Sequence, residues 1–287
     1  PIAPDEHTLR KRWAGLLCAH DRATAFVETR DRTIQGSYPQ LLGRENQPRI
    51  ANATAKSPVP VMSKYSYRSL DRQVLLSDGR ICDYLRPPLW ETLHKSQVFF
   101  TSLLTSPMGN GPALMAAGYV PDRHHFSSRG GKDVIPLYRD AEADAANVTP
   151  EQVHLLSDAF GKKIVPEDLF AYCYGVLAHP AFSVRFAGDQ KRDGVRVPIT
   201  RDYALFKKAA EIGRRLVWLH TYGERFVPQG KTPGDLPAGA AKCVEPVPDA
   251  PEKYPNEFNY DPYLCVLHVG GGQFAPVAPA IWEFEVS

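Results

Sequence analysis

Arginines and aromatic residues are interleaved in the segment from Tyr65 to Asp140, which also contains most of the strand-like runs of the chain. The arginines are Arg68, Arg72, Arg86, Arg123 and Arg129, and the aromatic residues are Tyr65, Tyr67, Trp90, Tyr119 and Phe126. Arginine offers a planar fork of donors to phosphates and base edges, and aromatic rings stack on guanidinium groups or on bases. The alternative interpretation is that the aromatic residues form a core and the arginines a solvated face.

The order of the expected elements predicts an α+β fold, with a mixed α/β arrangement as the alternative. An amphipathic helix is expected from Thr8 to about Glu28, followed by a polar loop to about residue 57. The N-terminal half then reads as β-rich, with runs at 96–104 and 133–138 and a hairpin turn at Asp78-Gly79. A Pro- and Gly-rich surface loop spans 229–255, and closing strands are expected at 264–269 and 282–286.

The middle of the chain is expected to be helical. Thr149 and Gln152 have the spacing of a capping box around Pro150, and a second helix should begin at Pro166 and end near His179-Pro180. Thr200 should cap a third helix. We expect the apolar residues of the last two helices to form the main core, so that Leu216→Ala costs about 2–5 kcal/mol. These core residues are Leu169, Phe170, Val176, Leu177, Leu205, Ile212, Leu216 and Trp218.

Charge is distributed unevenly along the chain. Residues 234–287 contain two basic and eight acidic residues, so the remainder carries a net charge of +8 within a total of +2. A basic body with an acidic tail fits a surface that faces DNA and a second one that faces solvent or another domain.

No apolar run approaches the length of about 18 residues that a membrane span requires. The five cysteines are far apart in sequence and favour free thiols in the cytoplasm.

Several longer segments, taken in order, carry a family resemblance. They are YRSLD (67–71), GGKDVIPLYRD (130–140), EDLFAYCYGVLAHPAFSVRF (167–186), RVPITRDYALF (196–206), GRRLVWLHTYGERF (213–226), YDPYLCVLHVGGG (260–272) and IWEFEVS (281–287). This series resembles the C-terminal specificity region of the Type ISP restriction-modification enzymes, which restrict, translocate and methylate DNA. The chain departs from the family at YRSLD, where the family prefers Pro-Phe.

The resemblance implies a function and an organisation. Residues 58–287 would be a specificity domain truncated at its C-terminal end, and residues 1–57 a helix and linker leading from an upstream enzyme. The domain would bind double-stranded DNA and position it for adenine N6 methylation by an upstream methyltransferase domain of the same polypeptide. The alternative is a structural coupling domain between methylase and helicase or nuclease modules, without DNA readout.

The resemblance also implies a parent enzyme of phage defence that uses S-adenosylmethionine, and ATP with magnesium where a motor is present. No catalytic residue, cofactor site or metal site is expected in the chain itself. Gly109-Asn110-Gly111-Pro112 lacks the third glycine of a dinucleotide loop, and residues 128–133 lack P-loop spacing. Asp261-Pro262-Tyr263 lacks the second proline of an adenine methyltransferase motif and predicts a turn.

Two further sets of residues have the letters of a metal site without its arrangement. Pro121-Asp122 and Asp189-Gln190-Lys191 match the pieces of a nuclease motif, but they are far apart in sequence. His124 and His125 are adjacent, and neighbouring residues of a strand point to opposite faces. Structural or DNA-contacting roles are therefore expected for the two histidines.

Long cationic side chains in the arginine–aromatic and glycine-rich stretches are the expected DNA contacts. They are Arg68, Arg72, Arg123, Arg129 and Lys132, with Lys207 as a weaker phosphate contact from the third helix. Salt bridges within the protein are the competing explanation, especially for Arg72 beside Asp71 and for Lys132 beside Asp133.

Overall fold

Helices and antiparallel sheets form the chain, which confirms the expected α+β class. The computed structural model describes residues 1–38, 41–42, 47–104, 111–126, 133–248 and 255–284. The strands are β1 (Ile2–Ala3), β2 (Met62–Arg68), β3 (Asp71–Leu76), β4 (Phe99–Ser102), β5 (Leu114–Ala117), β6 (Asp133–Pro136), β7 (Lys242–Glu245), β8 (Phe258–Asp261), β9 (Val266–Val269) and β10 (Gly272–Ala275). The helices are α1 (Glu6–Cys18), α2 (Arg22–Ala25), α3 (Pro87–Glu91), α4 (Pro150–Phe160), α5 (Pro166–Leu177), α6 (Pro180–Arg185), α7 (Ala187–Asp193), α8 (Tyr203–His220) and α9 (Pro279–Trp282). The chain divides into two compact units, Pro1–Pro233 and Gly234–Ser287.

The first helix is shorter than its sequence pattern suggests. Asp5, not Thr8, caps α1, because its carboxylate accepts a hydrogen bond from the amide of Thr8 at 2.8 Å. The chain leaves the helix after Cys18, and Asp21 caps the separate helix α2. The expected helix to Glu28 is therefore wrong in its second half, where Val27 is exposed.

The hairpin expected at Asp78-Gly79 is also wrong. The hairpin instead joins β2 to β3, and Leu70 in its turn adopts a positive φ of 58°. The carboxylate of Asp78 is buried and binds the buried guanidinium of Arg80, with one contact of 2.9 Å from Nε. A buried charge needs such a partner. The dipeptide does begin a turn, in which the amide of Ile81 donates to the carbonyl of Asp78 at 3.1 Å, but this turn does not join two strands.

Arg80 also fastens the N-terminal segment to the first sheet, whose strand order is β1-β3-β2. It donates to the carbonyl of Pro48 and lies over the ring of Trp13 at 5.8 Å. Trp13 and Ile50 share a core cluster with Leu75 of β3. Contacts divide the chain after Pro233, and the boundary expected near residue 57 stays a prediction.

A second antiparallel sheet, ordered β5-β4-β6, packs against the helices. The strand-like runs at 96–104 and 133–138 contain β4 and β6, which confirms both predictions. Phe100 of β4 stacks on Phe170 and Tyr174 of α5, with ring centroids 3.7 and 4.9 Å away. The sheet and the helices therefore share one aromatic core.

Helices α5 and α8 cross with their backbones in contact. A Cβ added to Gly213 of α8 would lie 1.8 Å from the carbonyl oxygen of Ala171 in α5. A Cβ on Gly175 of α5 would lie 2.4 Å from the carbonyl oxygen of Ala209. Glycine is therefore required at both positions, since a side chain there would push the helices apart.

The capping predictions have mixed outcomes. Thr149 and Gln152 form both hydrogen bonds of a capping box at the start of α4, as expected. Helix α5 begins at Pro166 and ends at Leu177, in agreement with the sequence. Helix α8 is capped by Asp202 and not by Thr200, because the Asp202 carboxylate accepts from the amides of Ala204 and Leu205.

The buried row of α8 lies one residue away from the expected one. Leu205 and Ile212 are 55% and 48% exposed, so their assignment to the core is wrong. The buried row is Phe206, Ala210, Gly213 and Val217, and Trp218 is also buried. Leu216 and Val176 are partly buried, and the remaining expected core residues, Leu169, Phe170 and Leu177, are buried.

Residues 234–287 form a small unit around a sheet ordered β7-β10-β9-β8. Among its described residues only Gly272 and Val277 are buried, whereas Phe258, Tyr263 and Trp282 are exposed. Strand β9 begins at Val266, two residues later than expected. The strand expected from Trp282 is wrong at its start, since Trp282 ends α9, and residues 285–287 lie outside the described part.

Two absences concern the described residues alone. None of their helices is long and apolar enough to cross a membrane. All five cysteines are free thiols.

The contact between α5 and α8 predicts opposite effects for two glycine-to-alanine changes. Gly213→Ala should lower the free energy of unfolding by at least about 1–3 kcal/mol, because the new methyl group meets a carbonyl oxygen. Gly15→Ala in α1 is the matched control, since nothing lies within 4 Å of its added Cβ. It should stabilise the chain by about 0.5–1 kcal/mol. Urea denaturation measures both, and equal effects would contradict the close helix contact.

The register of α8 is tested by two neighbouring residues. Phe206→Ala should cost about 3–5 kcal/mol, since its side chain is 1% exposed. Leu205→Ala should change stability by no more than about 0.5 kcal/mol, and the half-buried Leu216 should fall between the two. A larger loss for Leu205→Ala than for Phe206→Ala in thermal unfolding would restore the row expected from sequence.

Candidate nucleic-acid interface

Two arginine-containing stretches of the sequence lie side by side. The amide of Asp122 donates to the carbonyl of Ser66 in β2 at 2.8 Å, and the amide of Ser69 donates to the carbonyl of His125 at 2.7 Å. Residues 121–126 therefore run along the end of the β2–β3 hairpin. Three arginines at this place each lie over a tyrosine ring, and we call these three pairs, Arg68–Tyr67, Arg72–Tyr222 and Arg123–Tyr84, the arginine–tyrosine surface.

Arg68 is stacked and also paired with a carboxylate. Its Cζ lies 3.8 Å from the ring centroid of Tyr67, and its Nη1 lies 2.7 Å from Asp122. The same carboxylate accepts from the hydroxyl of Tyr65 and from the amide of His124. Asp122 thus fixes the direction of Arg68, and the pair remains partly exposed.

Arg72 has a salt bridge, as the competing explanation requires, but with a different partner. Its Nη1 lies 2.9 Å from Glu224, which follows α8, and not on Asp71. Its guanidinium also covers the ring of Tyr222 at 4.3 Å. The hydroxyl of Tyr222 donates to the carbonyl of Leu70, so the turn after α8 is bound to the tip of the hairpin.

Glu224 collects three donors. Besides Arg72 it accepts from Lys64 at 2.6 Å and from the hydroxyl of Tyr119 at 2.6 Å. Burial raises the pKa of this carboxyl, but the hydrogen bonds from Lys64 and Tyr119 and the charge of Arg72 outweigh it. The pKa of Glu224 therefore lies below its usual value, and the group is ionised at neutral pH.

Arg123 differs from the other two arginines. Its Cζ lies 4.4 Å from the ring centroid of Tyr84, and within the described residues no oxygen accepts a hydrogen bond from it. Tyr84 is 48% exposed and has a positive φ of 50°. The plane of the guanidinium is thus covered, while its edge carries donors available to another molecule.

The remaining expected contacts do not join this surface. Lys207 lies on the exposed side of α8, 3.8 Å from Glu211, and both side chains are more than half exposed. Along the helix axis it is about 22 Å from Tyr222, at 1.5 Å per residue. Arg129 and Lys132 lie outside the described residues.

The sequence analysis did not single out Tyr84 and Tyr222 of this surface, nor Glu224 and Lys64, which lie beside it. Tyr222 and Glu224 lie about 150 residues after Arg72, which they contact. The spacing of residues in a sequence gives no signal for a tertiary contact over such a separation.

The described residues present no group of three or more metal-ligating side chains. His125 is buried and its Nδ1 is hydrogen-bonded to Thr101 at 2.8 Å. Asp189 lies in helix α7 and pairs with Arg192. Asp261-Pro262-Tyr263 forms the expected turn, and residues 105–110 and 127–132, with most of both glycine-rich stretches, lie outside the described part.

The chain matches one known protein family and is similar in fold to several solved structures. A family model for the Type ISP C-terminal specificity domain matches residues 1–287. In the search of curated proteins nothing matched.

Three solved structures are similar in fold. A cryo-electron microscopy structure of a DrdV–DNA complex matches with a TM-score of 0.59 and 20% identity, over 78% of this chain and 22% of that one. The ATP-dependent Type ISP restriction-modification enzyme LlaBIII bound to DNA matches with a TM-score of 0.55 and 12% identity, over 94% of this chain and 17% of that one. A nuclease-deletion mutant of the Type ISP restriction-modification enzyme LlaGI in complex with a DNA substrate mimic matches with a TM-score of 0.48 and 19% identity, over 79% of this chain and 16% of that one. The chain spans about a fifth of the length of these solved proteins.

The buried imidazole of His125 predicts a dependence of stability on pH. Burial, with the charges of Arg68 and Arg86, lowers its pKa to about 4, and Asp122 opposes this only in part. Between pH 6.5 and 4 the unfolded chain therefore binds a proton that the folded chain does not. The free energy of unfolding should fall as pH drops through this window, by up to about 1.4 kcal/mol per pH unit from this group.

Denaturation of His125→Asn, whose amide can replace Nδ1 in the bond to Thr101, isolates this contribution. The variant should lose less stability than the parent chain between pH 7 and pH 5. Parallel pH profiles for the two proteins would show that folding does not lower the pKa of His125.

Proposed function

The chain belongs to the Type ISP C-terminal specificity domain family, and we propose that it binds duplex DNA and recognises a target sequence. The observation that carries the proposal is the family match over the whole of residues 1–287. Two solved proteins of similar fold, DrdV and LlaBIII, are bound to DNA in their structures, which supports the same partner for this chain.

The finer part of the proposal concerns methylation. The domain would hold duplex DNA while a methyltransferase domain of the same polypeptide flips and methylates an adenine at N6. S-adenosylmethionine, ATP and magnesium would serve that larger enzyme, in the cytoplasm and in defence against phage. The family resemblance of the sequence supports these roles.

The chemistry of the arginine–tyrosine surface supports DNA as the partner. A guanidinium over a ring keeps its charge and its in-plane donors while losing conformational freedom. Arg68 and Arg72 each bind a carboxylate through one guanidinium nitrogen, whereas no nitrogen of Arg123 binds a carboxylate of a described residue. The net charge of +8 outside residues 234–287 adds a long-range attraction for a polyanion.

A second role is favoured for residues 234–287 by one specific observation. This unit exposes Phe258, Leu264 and Trp282 and carries eight acidic residues against two basic ones. Acidic charge repels phosphate, and exposed apolar side chains favour contact with protein. Coupling to another module of the enzyme is therefore the role that we propose for this unit.

Titration of duplex DNA at several salt concentrations tests DNA binding. The logarithm of the affinity should fall linearly with the logarithm of salt concentration, with a slope of about −0.9 per phosphate contact. Replacing the six expected cations Arg68, Arg72, Arg123, Arg129, Lys132 and Lys207 by glutamine should weaken binding and flatten this slope. Fluorescence anisotropy gives both quantities.

The matched control removes the same charge from exposed cations elsewhere, at Arg10, Lys11, Lys56, Lys162, Lys163 and Lys191. The control should change affinity much less than the six expected contacts do. Equal losses for the two variants would place the binding face elsewhere. A chain that binds no DNA at any salt concentration would favour the coupling role for the whole domain.

A further inference from the structure

The geometry points to Arg123 as a specificity-determining residue that reads the edge of a guanine, an inference that rests on the proposed DNA binding. Arg123 combines a fixed backbone and a stacked side chain with donors that no described residue accepts, and this last property distinguishes it from Arg68 and Arg72. Each property follows from contacts of the described residues.

The backbone on both sides of Arg123 is anchored. Pro121 bridges to Ser66 of β2, and the carboxylate of Asp122 accepts from the amide of His124 at 2.8 Å. The amide of His125 donates to the carbonyl of Asp122, and the side chains of His125 and Phe126 are buried. Arg123 therefore projects from a short turn whose neighbours cannot move with it.

Its stacking partner is anchored to the same turn. Arg86 donates to the carbonyl of Pro121, and this bond joins the Tyr84 segment to the Arg123 segment. Tyr84 holds its ring beneath the guanidinium from a left-handed backbone, which is costly for a residue other than glycine. Such strain is found where a side chain must be held in one place for function.

The donors of Arg123 suit a base edge better than a phosphate. With the plane of the guanidinium fixed by Tyr84, two parallel N–H groups can meet O6 and N7 of guanine in the major groove. A phosphate needs charge but not a fixed plane, and the carboxylate of Asp122, 22% exposed, stands next in the chain. Arg68 and Arg72 point one nitrogen at Asp122 and Glu224, so their forks are already partly occupied.

Arg123→Lys separates base reading from simple charge, because lysine keeps the charge and loses the planar fork. The 287-residue chain and the variant are each mixed with a randomised duplex library, and the bound fraction is sequenced. The parent chain should select a site with guanine at one position. Arg123→Lys should reduce that preference roughly 5- to 150-fold at that position alone, with the salt slope unchanged.

Two further variants complete the experiment. Tyr84→Asn removes the ring while asparagine tolerates the left-handed backbone, and it should relax preference at the same position. Arg10→Lys on α1 is the matched control and should leave every position unchanged.

The outcomes separate this inference from the proposed function. DNA binding with unchanged preference in Arg123→Lys, or with a uniform loss over all sequences, overturns base reading and leaves the proposed function intact. Binding of the parent chain without any sequence preference overturns base reading and, with it, the target-recognition part of the proposed function, while DNA binding stands. Failure of the parent chain to bind DNA overturns both.

Discussion

The backbone contact between α5 and α8 is the constraint from which the candidate interface derives its position. Gly175 and Gly213 let the two helices approach until a carbonyl oxygen of each occupies the space of a missing Cβ. With α8 held there, the turn that follows it is fixed as well. Arg225 in that turn donates to the carbonyl of Gln97, just before β4, and to that of Gly118, just after β5, and so binds the second sheet.

That turn connects the helices with the first sheet. Tyr222 donates to the tip of the β2–β3 hairpin, and Glu224 accepts from Lys64 of β2 and Arg72 of β3. The carboxylate of Glu224 compensates two cations that would otherwise repel each other. The position of the half-buried Arg72 thus depends on the packing of α5 against α8.

Much of the architecture was accessible from the sequence, because local signals determined it. The capping box of α4, the bounds of α5 and the runs containing β4 and β6 all follow from short-range rules. The buried face of α8 was predicted wrongly because this helix has two neighbouring rows of apolar residues. The row that is buried contains the small residues Ala210 and Gly213. Small residues that permit close contact weaken the hydrophobic pattern on which such predictions depend.

The site was predictable only in part, for a similar reason. The interleaving of arginine with aromatic residues singled out Arg68, Arg72 and Arg123, but only Tyr67 is a sequence neighbour of the arginine it supports. Tyr84 and Tyr222 come from other segments and reach the arginines through tertiary contacts. Asp78-Gly79 shows a different failure, since the local turn signal was correct but no strand follows the turn, and Asp78 instead binds the buried Arg80.

The anchored turn at residues 121–126 has a consequence for how such a domain can evolve. The side chains of Asp122, His125 and Phe126 hold the turn in place, whereas that of Arg123 contributes to no described hydrogen bond of the scaffold. A substitution at position 123 therefore changes the hydrogen-bonding groups offered to DNA with little effect on the free energy of unfolding. A lineage could acquire a new preference in a single mutational step, and a protein engineer could do so by randomising positions 84 and 123 together.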